Sequence, residues 1–241
     1  MSQKLKTYFN WSSGKDAALA LYQLQKDENY EVDILVTSIN AHHDRVSMHG
    51  LRRALLVQQA KSVGLPLVTL ELSEEPTMEE YNERMQNLTN TLKSKGYAHC
   101  GFGDIFLEDL RAYREDQLKS VGITGHFPLW KRDTKKLIME FLALGFRAIV
   151  ICIKSELLDA SFVGREINED FIKDLPANVD PCGENGEFHT FCFDGPIFKE
   201  PIQFTIGDKV FREYKMPKEQ GSVTTNKSLG FWFIDLLPTA N

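Results

Sequence analysis

The first half of the chain alternates apolar runs of strand length with amphipathic runs of helix length, and this order most strongly restricts the fold. A strand is followed by a helix four times, at residues 5–9 and 15–25, 32–39 and 51–63, 67–72 and 78–92, and 97–101 and 107–119. The last three helices end close to a glycine, which is a typical helix stop. Because strands joined through helices run parallel, the order predicts an α/β fold with helices covering a parallel sheet.

The pattern changes after Pro128, where strands begin to follow one another directly. A helix is predicted at residues 135–144, with Asp133 as its N-cap. Strands are predicted at 148–153, 188–193, 202–206, 210–214 and 231–236, with Gly207-Asp208 as a turn and 216–227 as an exposed, mobile loop. We therefore expect two domains, a parallel-sheet domain at residues 1–127 and a smaller α+β domain with antiparallel strands at residues 128–241.

The charge balance excludes several classes of partner. The chain carries 28 Lys and Arg against 34 Asp and Glu, a formal net charge of −6. This charge gives no overall attraction to nucleic acid or to an anionic membrane, so an anionic ligand needs a local site. The most apolar stretch, residues 148–153, is too short to span a bilayer, and no signal peptide is recognised at the N-terminus. We expect a cytoplasmic protein without nucleic-acid or membrane partners.

The cysteines and histidines give no sequence signal for a metal centre. The four cysteines are far apart and form no C-x-x-C pair, which favours reduced thiols over a disulfide framework. His42, His43 and His49 have no cysteine at the spacing of a zinc site. We expect these three side chains to be ordinary loop histidines.

The segment Ser12-Ser13-Gly14-Lys15-Asp16 joins the first predicted strand to the first predicted helix. The unpaired N–H groups and the dipole of a helix N-terminus favour a phosphate, and Lys15 adds a positive charge. Gly14 permits close backbone approach, the two serines add hydroxyl donors, and Asp16 is a candidate Mg²⁺ ligand. The alternative is a serine N-cap with a surface Lys–Asp pair. A Walker loop is excluded, because Phe9 stands where that motif requires glycine.

A second loop, Gly103-Asp104, follows the fourth predicted strand. In open parallel sheets, ligands bind beyond the carboxyl ends of the strands, so both loops are expected to face one crevice. Asp104 is a candidate contact to a ribose or a metal ion, and its alternative role is to cap the helix that follows.

The segment S-S-G-K-D-A at residues 12–17 resembles the pyrophosphatase loop (PP-loop) S-G-G-K-D-S of ATP-using ligases and sulfurtransferases. The resemblance implies a doubly wound, Rossmann-like sheet of the adenine nucleotide α-hydrolase (HUP) type. It also implies cleavage of ATP between the α and β phosphates. Two positions differ from that loop, because Ser13 replaces a glycine and Ala17 replaces the final serine.

Four further blocks resemble the diphthine–ammonia ligase family, the ATP-binding diphthamide-synthesis domain. They are residues 103–118, residues 127–153, V-G-R-E at 163–166, and D-P-C-G-E-N-G-E-F-H-T-F-C-F-D-G-P-I-F at 180–198. The resemblance extends from about residue 4 to residue 202. Asn185 stands where many members have glycine, and His189 stands where eukaryotic members have glutamate, so the chain is a variant member.

The resemblance implies an ATP-dependent amide ligase. A carboxylate is adenylated with release of pyrophosphate, and ammonia then displaces AMP. The implied cofactors are ATP and Mg²⁺, with ammonium and a carboxylate substrate as partners. In the family, that substrate is diphthine on elongation factor 2. A symmetric homodimer is expected only as the commonest assembly.

The resemblance also assigns roles to particular residues. Lys15, Glu184 and Glu187 are the catalytic candidates, the two glutamates at the ammonia site. ATP is held by residues 12–16 together with Asp104, with Asp16 as the metal ligand. The loop at 180–189 is expected to shield the adenylate from water. Composition alone favours a solvated acidic turn for Glu184 and Glu187, and the resemblance to the family motif reverses that interpretation.

Three arginines are candidate substrate contacts. Arg111 and Arg114 lie one helical turn apart, so both can face the crevice. Their alternative role is in surface ion pairs with Glu115 and Asp116. Arg165, in V-G-R-E, is a candidate contact from the second domain or a helix cap.

Two other classes of function are compatible with the loop at residues 12–16. A tRNA-modifying sulfurtransferase or lysidine-type ligase is disfavoured by the lack of C-x-x-C and of a basic surface. A non-catalytic adenine-nucleotide binding or sensing module is mildly favoured by the departures at Ala17 and Asn185, whereas Lys15, Asp16, Glu184 and Glu187 argue for catalysis.

Overall fold

The N-terminal half forms a six-stranded, mostly parallel sheet in the computed structural model, which describes residues 3–47, 49–215 and 228–239. Its strands are β1 (Leu5–Asn10), β2 (Tyr30–Asn40), β3 (Arg45–Val46), β4 (Leu67–Leu72), β5 (His99–Gly101) and β6 (Thr124–His126). The parallel strands lie in the order β4-β2-β1-β5-β6, and the two-residue β3 pairs antiparallel with the end of β2. This arrangement confirms the predicted α/β fold.

The strand order reverses between β1 and β5. From β1 the chain builds outward through β2 and β4, and it then returns to place β5 and β6 on the other side of β1. The connecting helices are α1 (Lys15–Lys26), α2 (Arg53–Val63), α3 (Met78–Ser94) and α4 (Glu108–Ser120). Such a reversal opens a crevice beyond the carboxyl ends of the two central strands. The loops that follow β1 and β5 therefore lie side by side.

The second half forms a four-stranded antiparallel sheet, as predicted. Its elements are α5 (Thr134–Ala143), β7 (Arg147–Lys154), α6 (Glu169–Asp174), β8 (Phe188–Asp194), β9 (Phe204–Lys215) and β10 (Ser228–Pro238), with strand order β8-β7-β10-β9. Asp133 caps α5 as predicted, since its carboxylate accepts a hydrogen bond of 2.9 Å from the Lys136 N–H. We retain residues 1–127 and 128–241 as the proposed domains.

The predicted turn at Gly207-Asp208 is wrong. Residues 204–215 form one continuous strand, and the register of β9 against β10 shifts between Ile234 and Leu236. A Gly-Asp pair inside a strand pattern fits a β-bulge as well as a hairpin turn, and here the bulge is formed. The short elements β3, β6 and α6 were not predicted. The loop predicted at 216–227 lies outside the described residues.

Helix α1 contacts both sheets and is buried over more than half of its residues. It contacts β2 and β5 of the first sheet and β8 of the second. Besides Lys15, its buried residues are three alanines and three leucines, namely Ala17, Ala18, Leu19, Ala20, Leu21 and Leu24. Small side chains permit both sheets to approach the helix closely, so the N-terminus of α1 is fixed by the two halves together.

Asp235 forms an additional link between the two sheets. It lies on β10, and its carboxylate accepts a bidentate pair of hydrogen bonds from Arg52, with Nη2–Oδ2 at 2.6 Å and Nε–Oδ1 at 3.0 Å. Arg45 of β3 donates to the same carboxylate at 3.0 Å. The two guanidinium groups hold the pKa of Asp235 below its usual value, chiefly through the Arg52 hydrogen bond.

Among the described helices, none is long and apolar enough to cross a membrane.

We predict that Gly103→Ala destabilises the protein. A Cβ at Gly103 would lie 2.8 Å from the Ala17 backbone N and 2.9 Å from the Asp16 carbonyl carbon, and these backbone atoms cannot rotate away. The expected loss of unfolding free energy is about 1–3 kcal/mol, measured by urea denaturation. Gly125→Ala is the control, because its Cβ meets only side-chain atoms, the nearest on Phe127 at 3.0 Å. Equal stability of the two variants would contradict the backbone contact.

Candidate nucleotide-binding site

The loop between β1 and α1 is held by the second sheet. The Ser13 carbonyl accepts hydrogen bonds from the Cys192 N–H of β8 at 2.9 Å and from Gln59 Nε2 at 3.0 Å. The backbone N–H of Lys15 donates to the Thr190 hydroxyl at 3.1 Å. Residues far apart in sequence therefore fix the two ends of this short loop.

Gln59 of α2 is fully buried and connects three segments. Its amide N–H group donates to the carbonyls of Ser13 and Cys192, the latter at 2.6 Å, and its carbonyl accepts from the Trp11 indole at 2.7 Å. The sequence reasoning missed this residue. A polar residue among the apolar residues on the buried face of α2 is the signal that points to it.

Gly14 occupies the N-cap position of α1, and because glycine has no side chain, the helix start has no side-chain capping hydrogen bond from this residue. The alternative of a serine N-cap is therefore not what the structure shows. Ser13 adopts a left-handed conformation with φ 71°, which glycine adopts freely and serine adopts at a cost. The loop thus keeps the backbone shape of a glycine at the position where the PP-loop motif has one.

Lys15 is buried at the start of α1. Its ammonium group donates to Asp16 Oδ2 at 2.7 Å and to the Cys182 carbonyl, and it lies 5.4 Å from the centre of the Phe188 ring. Burial lowers the pKa of Lys15, but the neighbouring acidic groups, Asp16 above all, outweigh it and raise the pKa overall. The side chain therefore keeps its positive charge inside the crevice.

Asp16 remains partly accessible, with 29% of its side chain exposed. Burial raises the pKa of Asp16, while Lys15 opposes that rise. An accessible carboxylate oxygen in the first turn of a helix, beside a lysine, suits a hard cation that bridges phosphate oxygens. The residues at this position therefore fit the predicted Mg²⁺.

Glu184 connects the loop at 180–189 to the loop that follows β5. Its Oε1 accepts hydrogen bonds from the backbone N–H groups of Ile105 at 2.7 Å and Phe106 at 3.2 Å. Burial raises the pKa of Glu184 to about 7, with a further contribution from Asp16, although the two N–H donors act in the opposite direction. A carboxyl group that titrates near neutral pH can both accept and release a proton.

Glu187 is 2% exposed and holds its own loop together. Its Oε1 accepts from the Asp180 N–H at 3.0 Å and from the Asn185 side chain at 3.0 Å, and its Oε2 accepts from the Asn185 N–H at 2.9 Å. The two glutamates are three residues apart but have different surroundings. Glu184 faces the first domain, whereas Glu187 shapes the turn that carries Glu184.

Asp104 and Arg114 contact each other. Arg114 Nε lies 2.9 Å from Asp104 Oδ2, and its guanidinium lies 4.6 Å from the centre of the Phe102 ring. Burial raises the pKa of Asp104, and Arg114 partly opposes that rise. The structure therefore brings together a predicted ligand contact and a predicted substrate contact, directly beyond β5.

The other two arginines are engaged elsewhere. Arg111 pairs with Glu115 at 2.7 Å, and its guanidinium lies 4.7 Å and 4.5 Å from the rings of Phe127 and Trp130. Arg165 pairs with Asp174 at 2.8 Å. The backbone carbonyl of Arg165 accepts a hydrogen bond from the Val150 N–H of β7, on the side of that strand facing away from β8. The hydrogen bonds and ion pairs described for Arg165 do not include residues 12–16.

Two histidines that sequence reasoning did not assign to the site stack near it. The rings of His49 and His189 lie 4.6 Å apart at an angle of 27°. Burial, together with the charge of Lys15, lowers both pKa values, that of His189 to about 4. Both imidazoles are therefore neutral at neutral pH. His49 precedes α2, and only the tertiary fold brings it to β8.

Together, the doubly wound sheet and the loop that leads from β1 into the N-terminus of α1 define a nucleotide-binding α/β protein of the PP-loop type. The loop, Lys15 and Asp16 lie at the switch point of the first sheet, and the C-terminal half contacts them through β8 and the 180–189 loop.

Comparisons with known proteins agree with this class. The family model for the diphthamide synthase N-terminal domain matches residues 5–124, and the model for the C-terminal domain matches residues 133–221. Diphthine–ammonia ligase of Mus musculus is 25% identical over 193 residues, which cover 76% of this chain and 72% of that protein. The Rattus norvegicus protein of that name is 25% identical over 201 residues, or 80% of this chain and 75% of that protein.

The match to diphthine–ammonia ligase of Schizosaccharomyces pombe is closer but shorter. It is 33% identical over 95 residues, and it covers 38% of this chain and only 16% of that protein. Because the two family models match nearly all of residues 5–221, the chain belongs to the diphthine–ammonia ligase family.

We predict that Gln59→Leu destabilises the protein and weakens nucleotide binding. The change removes one hydrogen bond from each of two buried carbonyls and leaves the Trp11 indole N–H without its partner, which costs about 1–3 kcal/mol. Urea denaturation and nucleotide titration measure the two effects. Gln58→Leu, the neighbouring change on the same helix, is the control and should retain nearly full stability. If the two variants behave alike, Gln59 does not hold the loop.

Proposed function

We propose that the chain is an ATP-dependent ligase that adenylates a carboxylate and converts it to an amide with ammonia, releasing AMP and pyrophosphate. One observation carries the proposal. The buried cation Lys15 lies at the N-terminus of α1 and donates to the Cys182 carbonyl, on the same loop as Glu184, which in turn contacts the loop that follows β5. The diphthine–ammonia ligase relatives support it.

We propose that residues 12–16 bind the β and γ phosphates. The N-terminus of α1 supplies backbone donors, and Lys15 supplies a fixed positive charge. When Mg²⁺ is bound, it would neutralise negative charge on the departing pyrophosphate, and Asp16 is the residue that would hold it. Asp16 and the Cys182 carbonyl hold the Lys15 ammonium group at the start of α1, so its charge is fixed in place.

Glu184 is the proposed acid–base group for ammonia. A carboxylate there can bind ammonium and take its proton before the nitrogen attacks the activated carbonyl carbon. Glu187 takes a positioning role in this proposal, since the hydrogen bonds of its carboxylate lie within its own loop. The turn at 180–189 covers the crevice and excludes water that would hydrolyse the adenylate.

The remaining residues have proposed roles in recognition. The Asp104–Arg114 pair borders the crevice, where it can contact a ribose or a substrate carboxylate. Arg111 is a more peripheral substrate contact, and Arg165 would have to exchange its Asp174 partner to reach a substrate. The relatives' name indicates diphthine as the carboxylate substrate. We therefore propose a protein-borne carboxylate such as diphthine on elongation factor 2, encountered in the cytoplasm.

We predict that Lys15→Met lowers ATP cleavage about 10²–10³-fold, because a fixed positive charge at the leaving phosphates is lost while most of the side-chain length is kept. The assay separates AMP and pyrophosphate from ADP and phosphate, with and without ammonium. Lys26→Ala, an exposed lysine on the same helix, is the control. Unchanged turnover in Lys15→Met would show that Lys15 and its loop at residues 12–16 do not take part in ATP cleavage. Tight ATP binding by the unmodified protein with no turnover would favour a nucleotide sensor instead.

A second prediction concerns pH. Because burial raises the pKa of Glu184 to about 7, the group is protonated below that pH and active as a base above it. Amide formation, measured at constant free NH₃, should therefore rise with pH through about 7 and then level off. Glu184→Gln should be slower by about 10²-fold or more and should lack this rise. A rise that persists in Glu184→Gln would assign the titration to another group.

A further inference from the structure

Two exposed histidines and a glutamate converge at the carboxyl edge of the first sheet. His42 and His43 lie in the turn after β2, and Glu74 lies just after β4. Among the residues that the structure describes, these three form the one group of histidine, cysteine, aspartate or glutamate side chains with the spacing of a metal site. Their ligand atoms all lie within 4.8 Å of one another.

Both imidazoles approach the same carboxylate oxygen. His42 Nε2 lies 3.6 Å from Glu74 Oε1, and His43 Nε2 lies 3.5 Å from that same atom. The two rings are nearly perpendicular, at 84° and 4.8 Å between centroids. In a tetrahedral zinc site with bonds of about 2.0–2.1 Å, neighbouring ligand atoms are about 3.3–3.4 Å apart. The two nitrogen–oxygen distances are therefore close to two edges of such a tetrahedron.

Asn40 fixes the two segments that carry the ligands. Its side-chain oxygen accepts a hydrogen bond of 3.1 Å from the His43 N–H, and its amide nitrogen donates to the Glu74 carbonyl at 2.9 Å. The turn after β2 and the segment after β4 are thus joined through backbone groups. This leaves all three ligand side chains directed to a common point.

We propose that His42, His43 and Glu74 form a zinc site. Two imidazoles and one carboxylate suit Zn²⁺ better than Mg²⁺, which prefers oxygen ligands alone. Three protein ligands leave a fourth position for water or an anionic group. The sequence expectation of ordinary loop histidines is revised here because Glu74, thirty-one residues beyond His43, supplies the third ligand only after β2 and β4 pair.

The test is a zinc titration of the full, tag-free chain without nucleotide, so its result does not depend on the proposed ligase activity. One equivalent of Zn²⁺ should bind. The His42→Ala/His43→Ala double variant should lose affinity about 100-fold or more, and Asn40→Ala about 10-fold. Zn²⁺ should raise the thermal midpoint of the unmodified chain and not that of the double variant. Glu75→Gln and His99→Ala are the controls and should bind as the unmodified chain does.

The absorption spectrum of the Co²⁺-substituted protein tests whether a cysteine thiolate is among the metal ligands. The structure predicts a cobalt spectrum without the thiolate charge-transfer band, because the four cysteines are buried away from these residues. Absence of stoichiometric zinc binding would overturn the proposal. Full affinity in the double variant, or a thiolate band, would overturn it equally, since the metal would then lie elsewhere.

Discussion

The hydrogen bonds to the Ser13 carbonyl are the interaction on which the site depends. This one oxygen accepts from β8 through the Cys192 N–H and from α2 through Gln59. A helix N-terminus can bind an anion only if the preceding loop leaves its donors accessible. Here the Ser13 carbonyl holds one end of the loop, and at the other end the Lys15 N–H donates to the Thr190 hydroxyl, so only that one donor at the helix start is used to hold the loop to β8. The second domain thereby takes part in shaping the nucleotide loop of the first.

Ser13 also shows where this site retains an energetic cost. Its left-handed backbone conformation costs a non-glycine residue on the order of 1 kcal/mol or more. Its hydroxyl is buried and has no hydrogen-bond partner among the described residues, which adds a further cost. Both costs would vanish with glycine, the residue that the PP-loop motif has at this position. The structure tolerates them because Gln59 and Cys192 over-determine the position of the Ser13 backbone.

The fold was readable from sequence wherever the signal was local and repeated. Helix α1 and strand β1 were predicted to within one residue, because an apolar run and an amphipathic run each span several periods. Strand β3 has two residues and α6 has six, too few to establish a period. Residues 12–16 were recognisable because they are contiguous. Gln59, Thr190 and the N–H groups of Ile105 and Phe106 were not, because only pairing between distant segments brings them to the loop. The roles of the site residues stay predictions.

The carboxyl groups around the crevice share one electrostatic property that bears on its ligands. Asp16, Asp104 and Glu184 all have raised pKa values, with burial as the largest cause in each case. Burial disfavours each charged form, and the carboxylates also repel one another, since Asp16 raises the pKa of both of the others. Lys15 and Arg114 offset only part of this unfavourable charge. A cation that enters the crevice therefore gains attraction from three carboxyl groups, and its charge would lower their pKa values. The same property suits a divalent ion beside Asp16 and an ammonium ion beside Glu184, so one arrangement of charges can serve both halves of the proposed reaction.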